Sequence, residues 1–465
     1  MQLGDVLDSV SLVVATSCIE IMSVEIDSRQ CTPGALFFAM PGAHGHGSNF
    51  VDSAVSNGAV AVVTDSPVSA LAPVVVVPTS QLLALMTHAS SIVVGRPEDR
   101  VELVGITGTN GKTSVTSLVS SLAQALGWNA ASIGTLTNER TTPAPPELFR
   151  TIASLERTFE PGRERSIIAM EVSSHALDQH RVDGLRFTVS AFTNLSHDHL
   201  DYHHSMEEYF TAKAQLFSAE HAKRAVIWCD DSYGLRLADM TSISVARVQR
   251  SDASEVNESL QGTIFFWRGY LVNTPLVGGY NVDNALMAME IVRSLGAREE
   301  DIAHAMADVR GVPGRFELVS SSGVVVIVDY AHTPAGLERL LSDVRRVIGA
   351  GRVITVFGCG GDRDRAKRPV MGEVASTNSD VTIVTSDNPR SEPPDAIIDS
   401  VIGGVIPGST VFRMSDRRGA ISEAIRLALP GDVVVIAGKG HETTQITGEL
   451  VVPFDDREVA REFLK

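Results

Sequence analysis

The sequence lacks several features that would assign it to a specialised class of protein. Only four cysteines occur in 465 residues and no two form a Cys-x-x-Cys pair, so neither a zinc knuckle nor a disulfide scaffold is indicated. We expect all four to be buried thiols. Basic residues are outnumbered, and the formal net charge of -17 argues against nucleic acid or a membrane surface as the main partner.

Long apolar runs are also missing. No stretch reaches the length of a membrane span, and the first five residues lack the basic start of a signal peptide. We therefore expect a cytoplasmic protein without stable membrane insertion. The 44% hydrophobic and 20% charged residues are ordinary for a globular protein, and the length predicts two or three domains.

Short apolar runs divide the chain into three segments. The first ends near the linker-like Gly95-Arg96-Pro97-Glu98, and in the other two the runs alternate with helix-like stretches, as a parallel sheet flanked by helices requires. The predicted strands are Ala59–Val63, Val74–Val77, Ser166–Met170, Phe187–Phe192, Ala225–Trp228, Val324–Val328, Val353–Phe357, Val381–Thr385 and Val433–Ala437.

A glycine-rich stretch from Gly105 to Ser114 follows an apolar run and opens onto a helix-like stretch. Backbone N–H groups of such a turn point at an anion, Lys112 adds a positive charge, and Thr113 can place a hydroxyl on Mg²⁺. Strict Walker spacing would put glycine at Ile106, so a solvated turn that caps a helix is the alternative. The stretch predicts a site for a nucleoside triphosphate.

Two further features suit a nucleotide-bound Mg²⁺. Glu171 follows the run Ser166–Met170, where a hard oxygen ligand would face a phosphate loop, although strand-end glutamates are often only solvated or capping residues. The His-rich stretch His197–His204 resembles a binuclear zinc motif, but beside a phosphate loop Mg²⁺ is the expected ion. One of these histidines is then a plausible ligand and four are not; an exposed polar loop is the alternative.

The third segment is rich in groups that suit a zwitterionic amino acid. Arginine forks match carboxylates, and an acidic side chain can receive an ammonium. Surface ion pairs of little worth are the alternative for each arginine taken alone. The residues concerned are Arg363, Arg365, Arg390, Lys439 and Glu442.

A series of short motifs runs in order from Asp27 to Arg457. They are Asp27–Arg29, Gly108–Ser114, Thr141–Pro143, Glu171–Leu177, Thr193–His203, Ala212–Lys213, Asn281–Asn284, Pro313–Glu317, Asp329–Pro334, Asp387–Arg390, Gly438–Glu442 and Phe454–Arg457. In this order the motifs resemble the Mur ligase family. One departure is His46, which stands where relatives usually carry an aspartate.

The resemblance implies an α/β protein with three domains. Residues 1–98 would bind UDP, residues 99–312 would form the central ATP-binding domain with its phosphate loop and parallel sheet, and residues 313–465 would form a Rossmann-like domain for the amino acid. The implied activity is an ATP-dependent ligase of peptidoglycan synthesis, acting as a monomer through an acyl phosphate. Its implied partners are ATP, UDP-N-acetylmuramoyl-L-alanyl-D-glutamate and meso-diaminopimelate, with Mg²⁺ as cofactor. Domain closure is expected, because an acyl phosphate must be kept from water.

The resemblance also assigns residues to these ligands. In the ATP site it implies Gly108, Thr109, Asn110, Gly111, Lys112, Thr113, Ser114, Asn284, Arg315 and Asp329. For Mg²⁺ and catalysis it implies Thr113, Glu171, His199 and Lys213, the last as a carbamylated lysine. For the UDP-sugar-peptide it implies Ser28, Thr141, Thr142, Ser173, Gln179 and Arg181. For the amino acid it implies Arg363, Asp387, Asn388, Pro389, Arg390, Gly438 and Glu442.

The motif Asp387–Arg390 carries the choice of amino acid. In the family it accompanies meso-diaminopimelate, whose second stereocentre bears an extra carboxylate that Arg390 would bind. The alternatives are a lysine- or ornithine-adding ligase on the same scaffold, a ligase like folylpolyglutamate synthetase, and a catalytically silent nucleotide-binding regulator.

Overall fold

The computed structural model describes residues 1–7, 18–42, 45–138, 140–320 and 323–464, and these form two compact units. Unit one comprises Met1–Gln249 together with Met287–Ala297. Unit two comprises Arg250–Leu286 together with Arg298–Lys465. Each unit contains a parallel sheet with apolar cores of its own.

The first part of unit one is built on a small parallel sheet of order β1-β2-β5-β6. All five residues of its strand β2 are buried, because both faces of the sheet are covered. The strands are β1 (Ser23–Glu25), β2 (Ala35–Ala39), β3 (Pro41–Gly42), β4 (Gly45–His46), β5 (Ala59–Thr64) and β6 (Val74–Val76), and the helices are α1 (Leu3–Leu7), α2 (Val51–Ser56) and α3 (Thr79–Val93).

The rest of unit one is a six-stranded sheet of order β12-β11-β10-β7-β9-β8, in which all neighbours are parallel. Its strands are β7 (Glu102–Thr107), β8 (Asn129–Ile133), β9 (Ser166–Glu171), β10 (Val189–Phe192), β11 (Arg224–Trp228) and β12 (Ser244–Val248). Its helices are α4 (Lys112–Ala125), α5 (Pro145–Glu156), α6 (Ser174–Asp178), α7 (Leu200–His203), α8 (Met206–Ala214) and α9 (Ser232–Met240). The carboxyl ends of β7, β9 and β10 share one edge, where ligands of open α/β sheets bind.

Unit two opens with an antiparallel sheet that the sequence analysis did not predict. Its strands β13 (Ala253–Ser259), β14 (Gly262–Trp267) and β15 (Tyr270–Thr274) pair in chain order. The turn between the last two has positive φ at Arg268 (50°) and Gly269 (86°), as tight hairpins require. Helix α10 (Gly279–Ser294), which contains residues of both units, and helix α11 (Glu299–Ala305) follow.

The large sheet of unit two has the order β16-β17-β21-β18-β19-β20, and only the edge strand β16 is antiparallel. Apolar clusters cover both of its faces. The strands are β16 (Glu317–Ser320), β17 (Val325–Asp329), β18 (Val353–Phe357), β19 (Val381–Val384), β20 (Val411–Arg413) and β21 (Val433–Ala437), followed by a hairpin of β22 (Thr444–Thr447) and β23 (Leu450–Pro453). The helices are α12 (Pro334–Ile348), α13 (Lys367–Asn378), α14 (Pro394–Ile402), α15 (Arg417–Leu427) and α16 (Asp456–Phe463).

The predicted strands and the α/β fold class are confirmed, because every predicted apolar run coincides with a strand within a few residues. The prediction for the cysteines was wrong at one position. Cys31, Cys229 and Cys359 are buried, whereas Cys18 is exposed. Burial raises the pKa of Cys31 to about 11 and that of Cys359 to about 12, which leaves both as thiols at neutral pH. No helix in the described ranges is both long and apolar enough for a membrane crossing.

Candidate active site

The predicted phosphate loop lies between β7 and α4, so the strand, loop and helix expected from the sequence are present. Gly108 (φ 147°) and Gly111 (φ 85°) have positive φ, and a Cβ on Gly108 would lie 2.0 Å from Thr193 Oγ1. Glycine is therefore required at position 108. Lys112 Nζ donates to the carbonyl oxygens of Gly108 and Thr109, both at 2.9 Å.

The loop after β10 is hydrogen bonded to the phosphate loop. Asn194 Oδ1 accepts a hydrogen bond from the Asn110 amide at 2.9 Å, and the Asn194 carbonyl accepts one from the Thr109 amide at 2.9 Å. Thr193 Oγ1 donates to the Asn110 carbonyl at 2.6 Å. The sequence analysis missed these supporting roles, although both residues directly follow a strand whose carboxyl end meets that of β7.

Thr113 and Glu171, predicted to share a metal, are in direct contact. Glu171 is 1% exposed; its Oε2 accepts from Thr113 Oγ1 at 2.9 Å and its Oε1 accepts from the Thr135 amide at 2.8 Å. A hydroxyl and a carboxylate are hard oxygen donors, so their chemistry fits Mg²⁺. Within the described residues no three His, Cys, Asp or Glu side chains form a metal-binding group.

Lys213 is a buried lysine on the phosphate loop. It is 1% exposed, and its Nζ donates at 3.0 Å to the Gly108 carbonyl that Lys112 also binds. Burial and the neighbouring Lys112 hold the pKa of the Lys213 amine well below its ordinary value. The Tyr209 ring lies 4.5 Å from Nζ, and the Tyr209 hydroxyl is 3.2 Å from Thr109 Oγ1. The four-residue spacing of Tyr209 and Lys213 on α8 places them on one helix face.

The His-rich stretch forms a cluster of rings. The His199 ring lies edge-on to His175, with centroids 5.1 Å apart, and its Nε2 is 3.6 Å from Asp198 Oδ2. His203 is buried, its Nε2 is 2.9 Å from Ser174 Oγ, and burial lowers its pKa. His203 is therefore enclosed, with one ring nitrogen engaged by Ser174. His199 is exposed and lies at the start of α7 in a left-handed conformation (φ 53°). The Asp201 side chain lies outside the described part of the chain.

Most residues predicted for the UDP-sugar-peptide belong to one hydrogen-bond network. Thr142 Oγ1 donates to the Glu171 carbonyl at 2.9 Å and accepts from the Ser173 amide at 3.0 Å. Arg181 Nη1 donates to the Thr142 carbonyl at 2.9 Å, and its Nε donates to Gln179 Oε1 at 3.1 Å. Thr141 is linked through Thr135, whose hydroxyl is 3.2 Å away and whose amide binds Glu171. The structure thus joins these side chains to the Thr113–Glu171 pair.

Ser28 and His46 lie in the small first sheet region of unit one. Ser28 is 7% exposed, and its carbonyl accepts from Asn57 Nδ2 at 2.9 Å. The His46 ring Nε2 lies 2.8 Å from Asp65 Oδ1, and Asp65 Oδ2 accepts from Thr79 Oγ1 at 2.7 Å. Asp65 therefore supplies a carboxylate beside His46.

The three nucleotide residues predicted in the last two segments all fall in unit two. Asp329 is 5% exposed and accepts three hydrogen bonds, from the Phe316 amide (2.7 Å), the Ala331 amide (2.7 Å) and the Tyr280 hydroxyl (2.8 Å). Asp329 therefore fixes the surrounding backbone. The Arg315 guanidinium lies 4.3 Å above the centre of the Tyr330 ring. Asn284 Nδ2 is 3.5 Å from Asn281 Oδ1.

Arg390 has a strained backbone and a guanidinium that meets only carbonyl oxygens. Its φ is 51°, and its Nη1 donates to the carbonyls of Gly361 (2.9 Å) and Asn388 (3.4 Å). Among the described residues it forms no ion pair, although the hydrogen bonds from Ser391 and, after them, the charge of Arg390 lower the pKa of the Asp362 carboxyl. Arg365, by contrast, forms an ion pair with Glu392 at 3.1 Å. Arg363 is exposed, and among the described residues its guanidinium has the Asp362 carbonyl as its one hydrogen-bond partner, at 3.4 Å. Arg390 and Arg363 thus retain guanidinium donors for an anionic ligand.

The remaining amino-acid residues lie in two adjacent loops, after β19 and after β21. Asn388 Nδ2 donates to Glu442 Oε2 at 2.8 Å across the loops. A Cβ on Gly438 would lie 2.8 Å from Asp387 Oδ2, so this glycine permits the close approach of the loops. The carbonyl of Pro389 packs against Gly361, where an added Cβ would be 1.8 Å away. The structure therefore brings the predicted set Asp387–Arg390, Gly438 and Glu442 together.

A buried ion pair is hydrogen bonded to the residues that begin the two loops. Arg417 and Asp456 are 1% and 0% exposed and form a bidentate pair with both bonds at 2.7 Å. Arg417 also donates to the carbonyls of Ser386 (3.2 Å) and Ala437 (3.0 Å), the residues directly before Asp387 and Gly438. The sequence analysis missed this pair, which joins residues 39 positions apart.

We expect Arg417→Met to destabilise unit two by about 3 to 5 kcal/mol, because it leaves the Asp456 carboxylate buried without its partner. Thermal and urea unfolding of the full chain measure the loss. Arg418→Met is the matched control, since Arg418 pairs with Glu462 on the surface and should cost less than about 1 kcal/mol. Equal losses in the two variants would contradict the role assigned to the buried pair.

Residues 106–292 match the family model for the Mur ligase middle domain, residues 314–440 that for the Mur ligase glutamate ligase domain, and residues 20–90 that for the Mur ligase family catalytic domain. The sequence is 44% identical over 469 residues to the UDP-N-acetylmuramoyl-L-alanyl-D-glutamate--2,6-diaminopimelate ligase of Gloeobacter violaceus, covering 96% of this chain and 94% of the relative. The ligase of the same name from Geobacillus thermodenitrificans is 43% identical, with 96% and 95% covered.

Solved structures show the same architecture. A structure of a UDP-N-acetylmuramoyl-L-alanyl-D-glutamate--2,6-diaminopimelate ligase matches with a TM-score of 0.70 at 28% identity, covering 100% of this chain and 98% of the other. The MurF ligase of Thermotoga maritima, in complex with ADP, matches with a TM-score of 0.66 at 17% identity, covering 95% and 96%. The second likeness concerns the fold alone.

Proposed function

Because the chain belongs to the Mur ligase family, we propose that it is an ATP-dependent ligase that adds meso-diaminopimelate to UDP-N-acetylmuramoyl-L-alanyl-D-glutamate in peptidoglycan synthesis. The observation that carries the proposal is the 44% identity, over 96% of the chain, to a relative named for this reaction. The site geometry supports it, since a phosphate loop, a buried lysine with a lowered pKa and an arginine available for a carboxylate are all present.

The reaction joins an amine to a carboxylate in two steps. The D-glutamate γ-carboxylate oxygen attacks the γ-phosphorus of ATP, the bond to the bridging oxygen breaks, and ADP leaves with an acyl phosphate formed. The amine of diaminopimelate then attacks the acyl carbon, loses a proton and displaces phosphate. ATP is consumed because a carboxylate has no good leaving group of its own.

Unit one supplies the groups for phosphoryl transfer. The loop amides of Gly108–Ser114 and the Lys112 ammonium would hold the phosphates and offset the charge that develops on their oxygens. Thr113, Glu171, His199 and carbamylated Lys213 would hold Mg²⁺, which supplies electrostatic stabilisation of the phosphoryl oxygens when bound. The Thr113–Glu171 contact supports this assignment.

Lys213 fits the chemistry of carbamylation. A neutral amine attacks CO₂, a C–N bond forms and one proton is released, which leaves a carbamate whose two oxygens share one negative charge. Burial beside Lys112 lowers the pKa of the amine and so favours the neutral form that reacts. Carbamylation would replace the amine nitrogen by carbamate oxygens, which are hard ligands for Mg²⁺.

Further residues would bind the UDP-sugar-peptide and ATP. Ser28, Thr141, Thr142, Ser173, Gln179 and Arg181 would bind the UDP-sugar-peptide, and Asn284, Arg315 and Asp329 would bind ATP. Asp329 would act in part by fixing Phe316 and Tyr280, to which it is bonded. We propose that the three functional domains are residues 1–98, 99–312 and 313–465, that the enzyme is a monomer and that it acts in the cytoplasm.

Arg390 is proposed as the residue that selects diaminopimelate. Its guanidinium has carbonyl partners only, so it can bind the carboxylate on the second stereocentre. Arg363, Asp387, Asn388, Pro389, Gly438 and Glu442 would complete the amino-acid site.

One assay tests the proposed function. Phosphate release is measured with ATP, Mg²⁺ and UDP-N-acetylmuramoyl-L-alanyl-D-glutamate, with meso-diaminopimelate, L-lysine, L-ornithine or no amino acid added. We expect release to depend on diaminopimelate and the tripeptide product to appear by mass spectrometry. Preference for lysine or ornithine would replace the substrate assignment, and release with a folylpolyglutamate acceptor and glutamate would replace the function. No turnover in any arm would support a nucleotide-binding regulator.

A further inference from the structure

Lys439 is a fully buried lysine to which the proposed reaction gives no role. It lies between Gly438 and Gly440 in the loop after β21, and it is 0% exposed. Burying a lysine is unfavourable unless its amine is fully hydrogen bonded. Its partners therefore indicate what the residue does.

Three acceptors surround the Lys439 amine. Nζ donates to Thr444 O at 2.6 Å, to Glu442 Oε2 at 3.1 Å and to Asn388 Oδ1 at 3.2 Å. An ammonium has three N–H donors and a neutral amine has two, so this arrangement uses every donor of the charged form. The lysine thereby links the loop after β19 to the loop after β21.

These bonds fix the orientation of the Asn388 amide. Its Oδ1 accepts from both Lys439 Nζ and the Ile446 amide at 3.0 Å, so Oδ1 must face them and Nδ2 must face Glu442. A flipped amide would place its N–H groups against two donors. Asn388 is therefore held in one rotamer.

The same hydrogen bonds engage one carboxylate oxygen of Glu442 and leave the other without a partner among the described residues. Oε2 accepts hydrogen bonds from Lys439 Nζ and Asn388 Nδ2, whereas Oε1 has no hydrogen-bond partner in the described part of the chain. The side chain of Glu442 retains 32% exposure. Oε2 is thus held by Lys439 and Asn388, and Oε1 is left for a ligand.

We propose that Lys439 is a positioning residue for the amino-acid substrate, acting through Glu442 and Asn388. It holds Glu442 Oε2 and the Asn388 amide, so that Glu442 Oε1 and the second N–H of Asn388 Nδ2 are aimed at the ammonium and carboxylate of the incoming amino acid. This inference rests on the proposed function and adds a residue to it.

Steady-state kinetics of Lys439→Met test the inference. We expect the KM for diaminopimelate to rise about 10- to 150-fold, the range that corresponds to a hydrogen bond to a charged group, while the KM for ATP stays within about twofold. Lys223→Met, at an exposed lysine of unit one, is the matched control and should leave both constants unchanged. Lys439→Gln, which keeps a polar side chain of similar length, serves if the methionine variant does not fold.

A double-mutant cycle separates positioning from a general effect on folding. If Lys439 acts through Glu442, Lys439→Met should change the KM for diaminopimelate much less in a Glu442→Gln background than in the parent. Equal changes in both backgrounds, or an unchanged KM in both Lys439 variants, would overturn the inference while the ligase function stands. A parent enzyme without amino-acid-dependent phosphate release would overturn both.

Discussion

Replacing Lys213 with alanine should lower kcat about 100- to 1000-fold, the loss that follows removal of one group that stabilises developing charge. The structure gives the physical reason. The Lys213 amine is 1% exposed, lies on the Gly108 carbonyl beside Lys112, and has a pKa well below its ordinary value, so it can take up CO₂. Without the carbamate, one negative charge shared by two oxygens is missing beside the phosphate loop.

Added carboxylates distinguish the carbamate from a lysine that acts as an amine. Acetate should restore part of the activity of Lys213→Ala, because its oxygens can occupy the space of the missing carbamate, and it should leave the parent enzyme unchanged. Lys223→Ala, at an exposed position of the same unit, should retain full activity and show no response to acetate. A Lys213→Ala variant as active as its parent and insensitive to acetate or bicarbonate would refute the assignment.

Replacing Arg390 with alanine should weaken the binding of diaminopimelate by about 2 to 5 kcal/mol, which corresponds to a rise in its KM of about 30-fold or more. The guanidinium meets only carbonyl oxygens, so the substrate carboxylate would lose its charged partner. Alanine carries the same Cβ as arginine, so the strain of the positive φ at this position is retained and the variant isolates the side chain.

The contrast between substrates makes this prediction specific. L-Lysine has no second carboxylate, so any residual rate with lysine should change little in Arg390→Ala, and the preference for diaminopimelate should fall. Arg413→Ala is the matched control, because Arg413 is exposed and pairs with Asp395 and Asp399 on the surface. An unchanged KM for diaminopimelate would refute the role of Arg390.

The local elements of the fold could be predicted from the sequence. Continuous apolar runs such as Val353–Phe357 and Val433–Ala437 identify strands covered on both faces, and each proved to be a buried strand of a parallel sheet. Strand β13 was missed because it is mostly exposed and carries no apolar run, whereas β14 contains the apolar residues 264–267 and could have been predicted. Gly269, between the apolar residues of β14 and β15, was the available signal for that hairpin.

The candidate site could be predicted only in part. The phosphate loop follows from a local rule, because the backbone N–H groups of a glycine-rich turn before a helix point at an anion. The Thr113–Glu171 contact joins residues 58 positions apart and depends on the pairing of β7 with β9. The supporting residues do not follow from such rules. Tyr209, Arg417 and Asp456 act through partners distant in sequence, and no local pattern specifies those partners.

The sequence by itself determined the order of strands and loops, the phosphate-binding turn and the set of polar residues at the strand ends, since these depend on backbone conformation and local periodicity. Only the tertiary structure decided which charges are buried. The sequence places Lys213 and Lys439 in recognisable motifs but does not show that both are buried. Lys213 is enclosed beside Lys112, and Lys439 is hydrogen bonded to three acceptors. Burial and charge pairing are properties of the packed chain, and they set the protonation and orientation on which the proposed chemistry depends.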